Sequence, residues 1–254
     1  MRYTASLLLL LTPLLCLGAD KPAEYQFTGT AYGDDDAPLY EEHHDVNGVC
    51  RDQHFVPQSH TVDYVALDES LGRLNHSFAR KQIDYTNSPW RPTVDFSQPT
   101  FDERLMIRNV DDREARLRWQ TPAGDKKTFV VPLEKDTVID AGFVHFIRDH
   151  WSALKQGQSI EFSFLAPTRG ETYGFVAEPT TQDELDADLV INMRPTGVLL
   201  RWVVDPIILG FDKQGRLTDY LGLGNIRKNE DRNYNVRLRY DKTPIPCPLL
   251  PREN

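Results

Sequence analysis

Short runs in which apolar and polar residues alternate recur along the chain, separated by turn-forming residues. A period of two is what a strand with one buried and one wet face requires. In residues 159–165, Ile160, Phe162 and Phe164 alternate with Glu161 and Ser163. The same reading places strands at 26–32, 39–44, 61–67, 74–85, 104–109, 115–120, 127–133, 172–177, 189–193, 199–204, 207–211, 217–221 and 234–240. Asn47-Gly48 is a favoured hairpin pair and predicts a reversal after 39–44. Thr121-Pro122-Ala123-Gly124-Asp125 predicts a second hairpin, and Gly222-Leu223-Gly224 a bend or bulge inside a strand region.

One segment breaks this period. Between 142 and 156, Phe143, Phe146, Ile147, Trp151 and Leu154 recur at three- and four-residue spacing, with Asp140 placed to cap the start and Gly157 to stop the end. That pattern predicts an amphipathic helix of about four turns whose Phe/Trp stripe must lie on an apolar surface. Residues 182–188 read as a weaker helical or irregular patch. The expected fold is mainly β: a curved antiparallel sheet or half-open β-barrel with one amphipathic helix packed on the concave face.

The N-terminus has a different character. Arg2 precedes the apolar run 7–15, and small residues follow at Gly18 and Ala19, which are the parts of a secretory signal peptide. The run is shorter than the roughly 20 apolar residues of a membrane span. Leu14-Leu15 stand where a lipoprotein would carry a small residue before Cys16, so soluble export is preferred to a lipid anchor. Residues 1–19 are therefore expected to be the signal and 20–254 a single β-rich domain, periplasmic or secreted, with no stable membrane span after cleavage. Export removes one of the three cysteines and leaves Cys50 and Cys247, the even pair expected to form one disulfide in an oxidising compartment.

Composition sharpens the partner class. The 254 residues carry 29 Lys+Arg against 38 Asp+Glu, a formal net of -9, and no run of the sequence concentrates basic residues. Nucleic acid, which needs a basic surface, is not the expected partner.

The densest polar cluster is Glu41-Glu42-His43-His44-Asp45, with Asp34-Asp35-Asp36 before it and His54 and His60 after it. Carboxylates and imidazoles can hold a divalent metal, but alternation puts Glu42 and His44 on one face and Glu41 and His43 on the other. The spacing fits no zinc or EF-hand pattern, so a solvated strand edge is preferred, with no metal and no cofactor. There is no Gly-x-Ser-x-Gly elbow or glycine-rich phosphate loop, and no catalytic residue is assigned.

What remains is aromatic. A curved sheet with a helix across its mouth can enclose a cavity for an apolar ligand. Its candidate lining is Trp119, Phe143, Phe146, Trp151, Phe162, Phe164 and Trp202.

Residues 204–226 resemble a segment of uncharacterised exported proteins of proteobacteria. In these a strand, an Asp-centred turn (here Asp212) and an Arg-Leu strand (Arg216-Leu217) lead to a Gly-x-x-Asn-Ile close (Gly222 to Ile226). Residues 27–32 with 39–44 are similar to their opening hairpin. The resemblance brings no catalytic residue. In outline it implies the curved antiparallel sheets of periplasmic proteins that carry lipids or lipoproteins.

The resulting expectation is an exported, non-enzymatic protein that binds an apolar or lipid-like molecule, or a protein of the envelope, in its curved sheet. The alternatives are a metal-dependent hydrolase using the acid/His cluster and a structural or assembly factor of the envelope that presents a sheet edge.

Overall fold

Alternation along nearly every strand leaves one apolar face, and the chain buries it by rolling the sheet so that this face lies inside. A computed structural model describes residues 20–182, 185–197 and 205–251. Within them the first half forms β1 (Lys21–Tyr32), β2 (Pro38–Arg51), β3 (His54–Ala66), β4 (Ser77–Asp84), β5 (Thr93–Gln98), β6 (Glu103–Val110), β7 (Glu114–Gln120) and β8 (Lys126–Pro132). After β9 (Thr137–Val138) come α1 (Gly142–Asp149) and α2 (Trp151–Lys155). The second half is β10 (Ile160–Ala166), β11 (Glu171–Thr180), β12 (Leu189–Pro195), β13 (Ile207–Phe211), β14 (Leu217–Arg227) and β15 (Asn233–Tyr240).

All of these strands belong to one sheet in the order β8-β7-β6-β5-β4-β3-β2-β1-β15-β14-β13-β12-β11-β10-β9. Its two edges, β8 and β9, are consecutive in the chain but share no ladder, so the barrel is half-open. Side chains cross the gap instead: Ile139 and Leu165 pack with Val131, Ile107, Leu117 and Ile83 from the other edge.

The expected hairpin at Asn47-Gly48 is not formed. β2 runs through to Arg51 and reverses at Asp52-Gln53, both in the left-handed region at φ 49° and 62°. Two consecutive residues of positive φ make the tight turn that matches strand twist. Gly48 instead faces a bulge, where the pairing jumps from Asn47↔Ser59 to Gly48↔Pro57 and leaves Gln58 unpaired in the ladder. A Cβ at Gly48 would lie 2.3 Å from the Val56 carbonyl oxygen, so only glycine allows this approach. Strands β5 and β9 have no counterpart in the periodicity reading, and the predicted strand at 199–204 lies outside the described residues. Gly222-Leu223-Gly224 falls inside β14, next to the register shift between Leu223 and Arg227.

The predicted helix divides into α1 and α2 at His150. The His150 Nδ1–H donates to the Phe146 carbonyl at 2.8 Å, competing with the backbone ladder and interrupting the turn. Asp140 stands just before the N-cap Ala141, whose N–H donates to its Oδ1 at 2.7 Å, and its carboxylate also receives Lys81 Nζ at 2.9 Å on both oxygens. Gly157 does end the segment, at φ 84°. The stripe Phe146, Ile147, Trp151 and Leu154 packs onto Phe162, Phe175, Ile191, Leu209 and Phe211 of β10–β13. At the start of α1 a Cβ on Gly142 would come within 2.1 Å of the Trp90 carbonyl oxygen, so glycine seats the helix against that loop. No helix among the described residues is long and apolar enough to cross a membrane.

A disulfide joins Cys50 to Cys247, with Cα atoms 6.1 Å apart. It fastens the C-terminal segment over Val46, Phe55 and Leu249.

Candidate functional site

The residues expected to line an apolar cavity are brought together only in part. Phe146, Trp151 and Phe162 are buried under the helices, with Phe143 and Phe164 half-buried beside them. Their rings pack on one another, Phe146 to Phe162 at 4.8 Å and Phe162 to Phe175 at 5.9 Å between centroids. Trp119 is elsewhere, on β7, where its Nε1–H donates to Glu103 Oε1 at 2.9 Å. That carboxylate also takes the buried Arg227 guanidinium, so Trp119 supports an ion pair. Trp202 lies outside the described residues.

The acid/His cluster divides between faces as alternation requires. Glu41 and His43 point outward and bond each other at 2.8 Å, while Glu42 and His44 turn inward and are 5 % and 9 % exposed. Inside, the cluster gains partners that are distant in sequence. His44 Nδ1 lies 2.8 Å from His60 Nε2, His44 Nε2 lies 3.1 Å from Glu42 Oε2, and the Tyr240 hydroxyl donates to the same carboxylate oxygen at 3.1 Å. Phe27 stacks flat on His44 at 4.2 Å. One assignment of protons satisfies the chain: His44 donates through Nε2 to Glu42 and accepts at Nδ1 from His60. Burial pushes His60 well below the usual imidazole value, reinforced by His44, His145, Lys81 and Arg148, so its neutral form is favoured. Both nitrogens of His44 are thereby occupied, and among the described residues no group of three or more His, Cys, Asp or Glu is arranged to hold a metal ion. Nearby, the Tyr40 hydroxyl is buried without a hydrogen-bond partner.

The opposite face of the sheet carries a feature that no local motif announced. A groove of about 420 Å³ crosses the outside of β4–β8. Strand register builds it from two transverse rows. The first runs Arg80, Ser97, Arg104, Gln120, Lys126, one residue from each strand. The second runs Gln82, Asp95, Met106, Arg118, Thr128. Arg80 is paired to Asp63 and Asp95 to Arg108, whereas Arg104, Arg118 and Lys126 form no salt bridge among the described residues. The outer face of the groove holds four basic side chains, Arg80, Arg104, Arg118 and Lys126, and one acidic, Asp95, while Lys127 lies over the Trp119 ring on the other face. In a chain with more acids than bases, this is a local reversal of sign.

The groove merges with a second of about 660 Å³ over the outside of β3–β5, sharing Gln82 and Asp95 with it. That neighbour is lined by hydroxyls and amides, including Gln58, Ser59, Thr61, Thr86 and Thr93, together with the charged Asp84, Asp95 and Arg108. The signal for the site in the sequence is the same-phase recurrence of Arg104, Met106, Arg116, Arg118 and Gln120, which reads as an ordinary wet face until the strands are set side by side.

No family model matches the chain, and no curated protein matches it. A solved structure, the beta-barrel-like protein of domain of unknown function DUF1849 from Brucella abortus, is similar at 9% sequence identity and a TM-score of 0.43. The likeness covers 89% of this chain and 99% of that one, and at this TM-score it carries no residue or activity across.

Proposed function

We propose that this is an exported, non-enzymatic binding protein of the cell envelope that holds an anionic partner on the outside of its curved sheet. The observation that carries the reading is the groove over β4–β8, where Arg104, Arg118 and Lys126 face solvent and form no salt bridge among the described residues. Its volume is in the range of ligand sites, and uncompensated like charges persist at a cost that a bound anion removes. The chain as a whole carries a formal net charge of -9, so this basic groove runs against its overall sign.

The half-buried Cys50–Cys247 bridge is compatible with an oxidising compartment, and the signal expected at 1–19 would lead the chain there. An apolar ligand beneath the helices has a weaker claim, because Phe146, Phe162 and Phe175 already fill one another's surroundings. The interior chain of Glu42, His44 and His60 is closed on itself, which favours a structural role for it over hydrolysis.

The test is retention on a sulfated polysaccharide matrix at about 0.01 M salt, where screening extends to roughly 30 Å. The intact protein is expected to be retained and to elute with salt, and the double variant R104E/R118E to flow through. Passage of the unaltered protein would remove the reading. N-terminal sequencing of protein from an exported fraction checks cleavage near residue 19.

A further inference from the structure

We propose that the partner is a linear polysaccharide bearing one carboxylate on every second sugar, laid across β4–β8 at right angles to the strands. This rests on the anionic groove proposed above and specifies its ligand. The row Arg80, Ser97, Arg104, Gln120, Lys126 alternates cation and neutral hydrogen-bonding side chain from strand to strand. Adjacent strands are about 4.8 Å apart, so successive cations in the row sit on backbones about 10 Å apart. Each pyranose of an extended chain advances by about one strand spacing. A disaccharide repeat therefore places charged sugars at Arg104 and Lys126 with the intervening sugar at Gln120, while Arg80, which is held by Asp63, ends the row beyond Ser97.

The second row adds what a sugar ring needs. Gln82 and Thr128 supply hydrogen bonds, Met106 an apolar platform at the centre, and Arg118 a cation offset toward the next repeat. Beyond β4 the adjoining groove continues with Ser59, Thr61, Thr86, Thr93 and Gln58, groups suited to hydroxyls, and its Asp84 and Asp95 favour the uncharged sugars there over carboxylates. A compact anion would leave most of this length empty.

Other polyanions fit the spacing less well. An extended peptide repeats its facing side chains about every 7 Å. A duplex nucleic acid carries a charge about every 3.4 Å along each strand. A membrane surface would call for apolar residues beside the cations. The exposed large hydrophobics among the described residues, Leu74, Val130 and Leu223, are instead scattered over the β3–β4 connection, β8 and β14.

Titration of the full chain at low salt separates these cases. The probes are a hyaluronan oligosaccharide (one carboxylate per disaccharide), a polygalacturonate oligosaccharide of equal length (one per sugar), a neutral chitin oligosaccharide, single-stranded DNA, inorganic phosphate and phosphatidylglycerol vesicles. The hyaluronan oligosaccharide is expected to bind roughly tenfold or more tighter than every other probe. R104Q should weaken it by a similar factor, and R239Q, on β15 away from the groove, should leave it unchanged. Equal or tighter binding of polygalacturonate, DNA, phosphate or vesicles, provided R104Q weakens it, overturns the polysaccharide assignment and leaves the anionic groove standing. Binding of no anion, or binding indifferent to R104Q, overturns both.

Discussion

The two halves of the barrel interior solve burial in opposite ways. Under α1 and α2, the inner faces of β10–β13 present Phe162, Phe175, Ile191, Leu209 and Phe211, and the helices add more of the same. Inside β2–β4 and β15 the wall carries Glu42, His44, His60, Lys81 and Tyr240. The first region needs only shape, since apolar burial is non-directional. The second needs a partner for every donor and acceptor, because an unmatched polar atom in that setting costs about 1–3 kcal/mol. The apolar half should therefore tolerate a change of pH, and the polar half should not.

Four measurements break or sharpen that contrast. The largest effect is expected at the staple beside the polar half. Closing a loop of 197 residues contributes about 5 kcal/mol in the chain-entropy model. Replacing Cys50 and Cys247 together by serine should lower the midpoint of chemical denaturation and raise hydrogen exchange first in β2 and β3. In the apolar half, Phe162→Ala should cost about 3–5 kcal/mol, read as a shift in denaturation midpoint that is the same at pH 5 and pH 8.

Protonation strikes His60 in the polar half and His145, which α1 sets against Tyr85 apart from its apolar stripe. His60 and His145 are both held below the usual value near 6.5, chiefly by burial. An imidazole with a lowered folded value leaves stability unaffected above the unfolded value. Below it the unfolded chain takes up protons that the folded one refuses, so stability falls with pH until the folded value is reached. Each group then removes about 1.4 kcal/mol per pH unit. Melting curves should drop from pH 6.5 downward, and H60Q should make the decline shallower. A flat profile, or one unchanged by H60Q, would mean that the interior is not as dry as its geometry implies. The smallest effect belongs to Tyr40→Phe, which deletes a hydroxyl that has no hydrogen-bond partner among the described residues. It should be neutral or stabilising by up to about 1 kcal/mol, and a loss of stability would show that the hydroxyl has a partner in solution.

Much of the barrel can be read from alternation, because a strand with one wet face writes its orientation into every second residue. The inward placement of Glu42 and His44 follows from that rule. His60 could not be added to them by counting. The bulge at Gln58 reverses the alternation within β3, so Phe55 and Pro57 face inward before it and His60 and Val62 after it. Asn47-Gly48, a turn pair by local preference, was taken over by pairing on both sides of β2, and its glycine serves a close backbone approach instead. The groove was less legible still, since Arg80, Arg104, Arg118 and Lys126 become neighbours only through four consecutive registers.

The sequence by itself determined the β class, the apolar helix segment, the cysteine pair and which side of β2 each acid and imidazole would take. These are consequences of local periodicity and of residue chemistry. Tertiary structure alone decided that the sheet rolls into a half-open barrel, that Glu42, His44 and His60 join, and that scattered arginines form one basic groove in an acidic chain. Those depend on strand order, a bulge and cross-strand register, which are set by the collective packing of residues far apart in the chain.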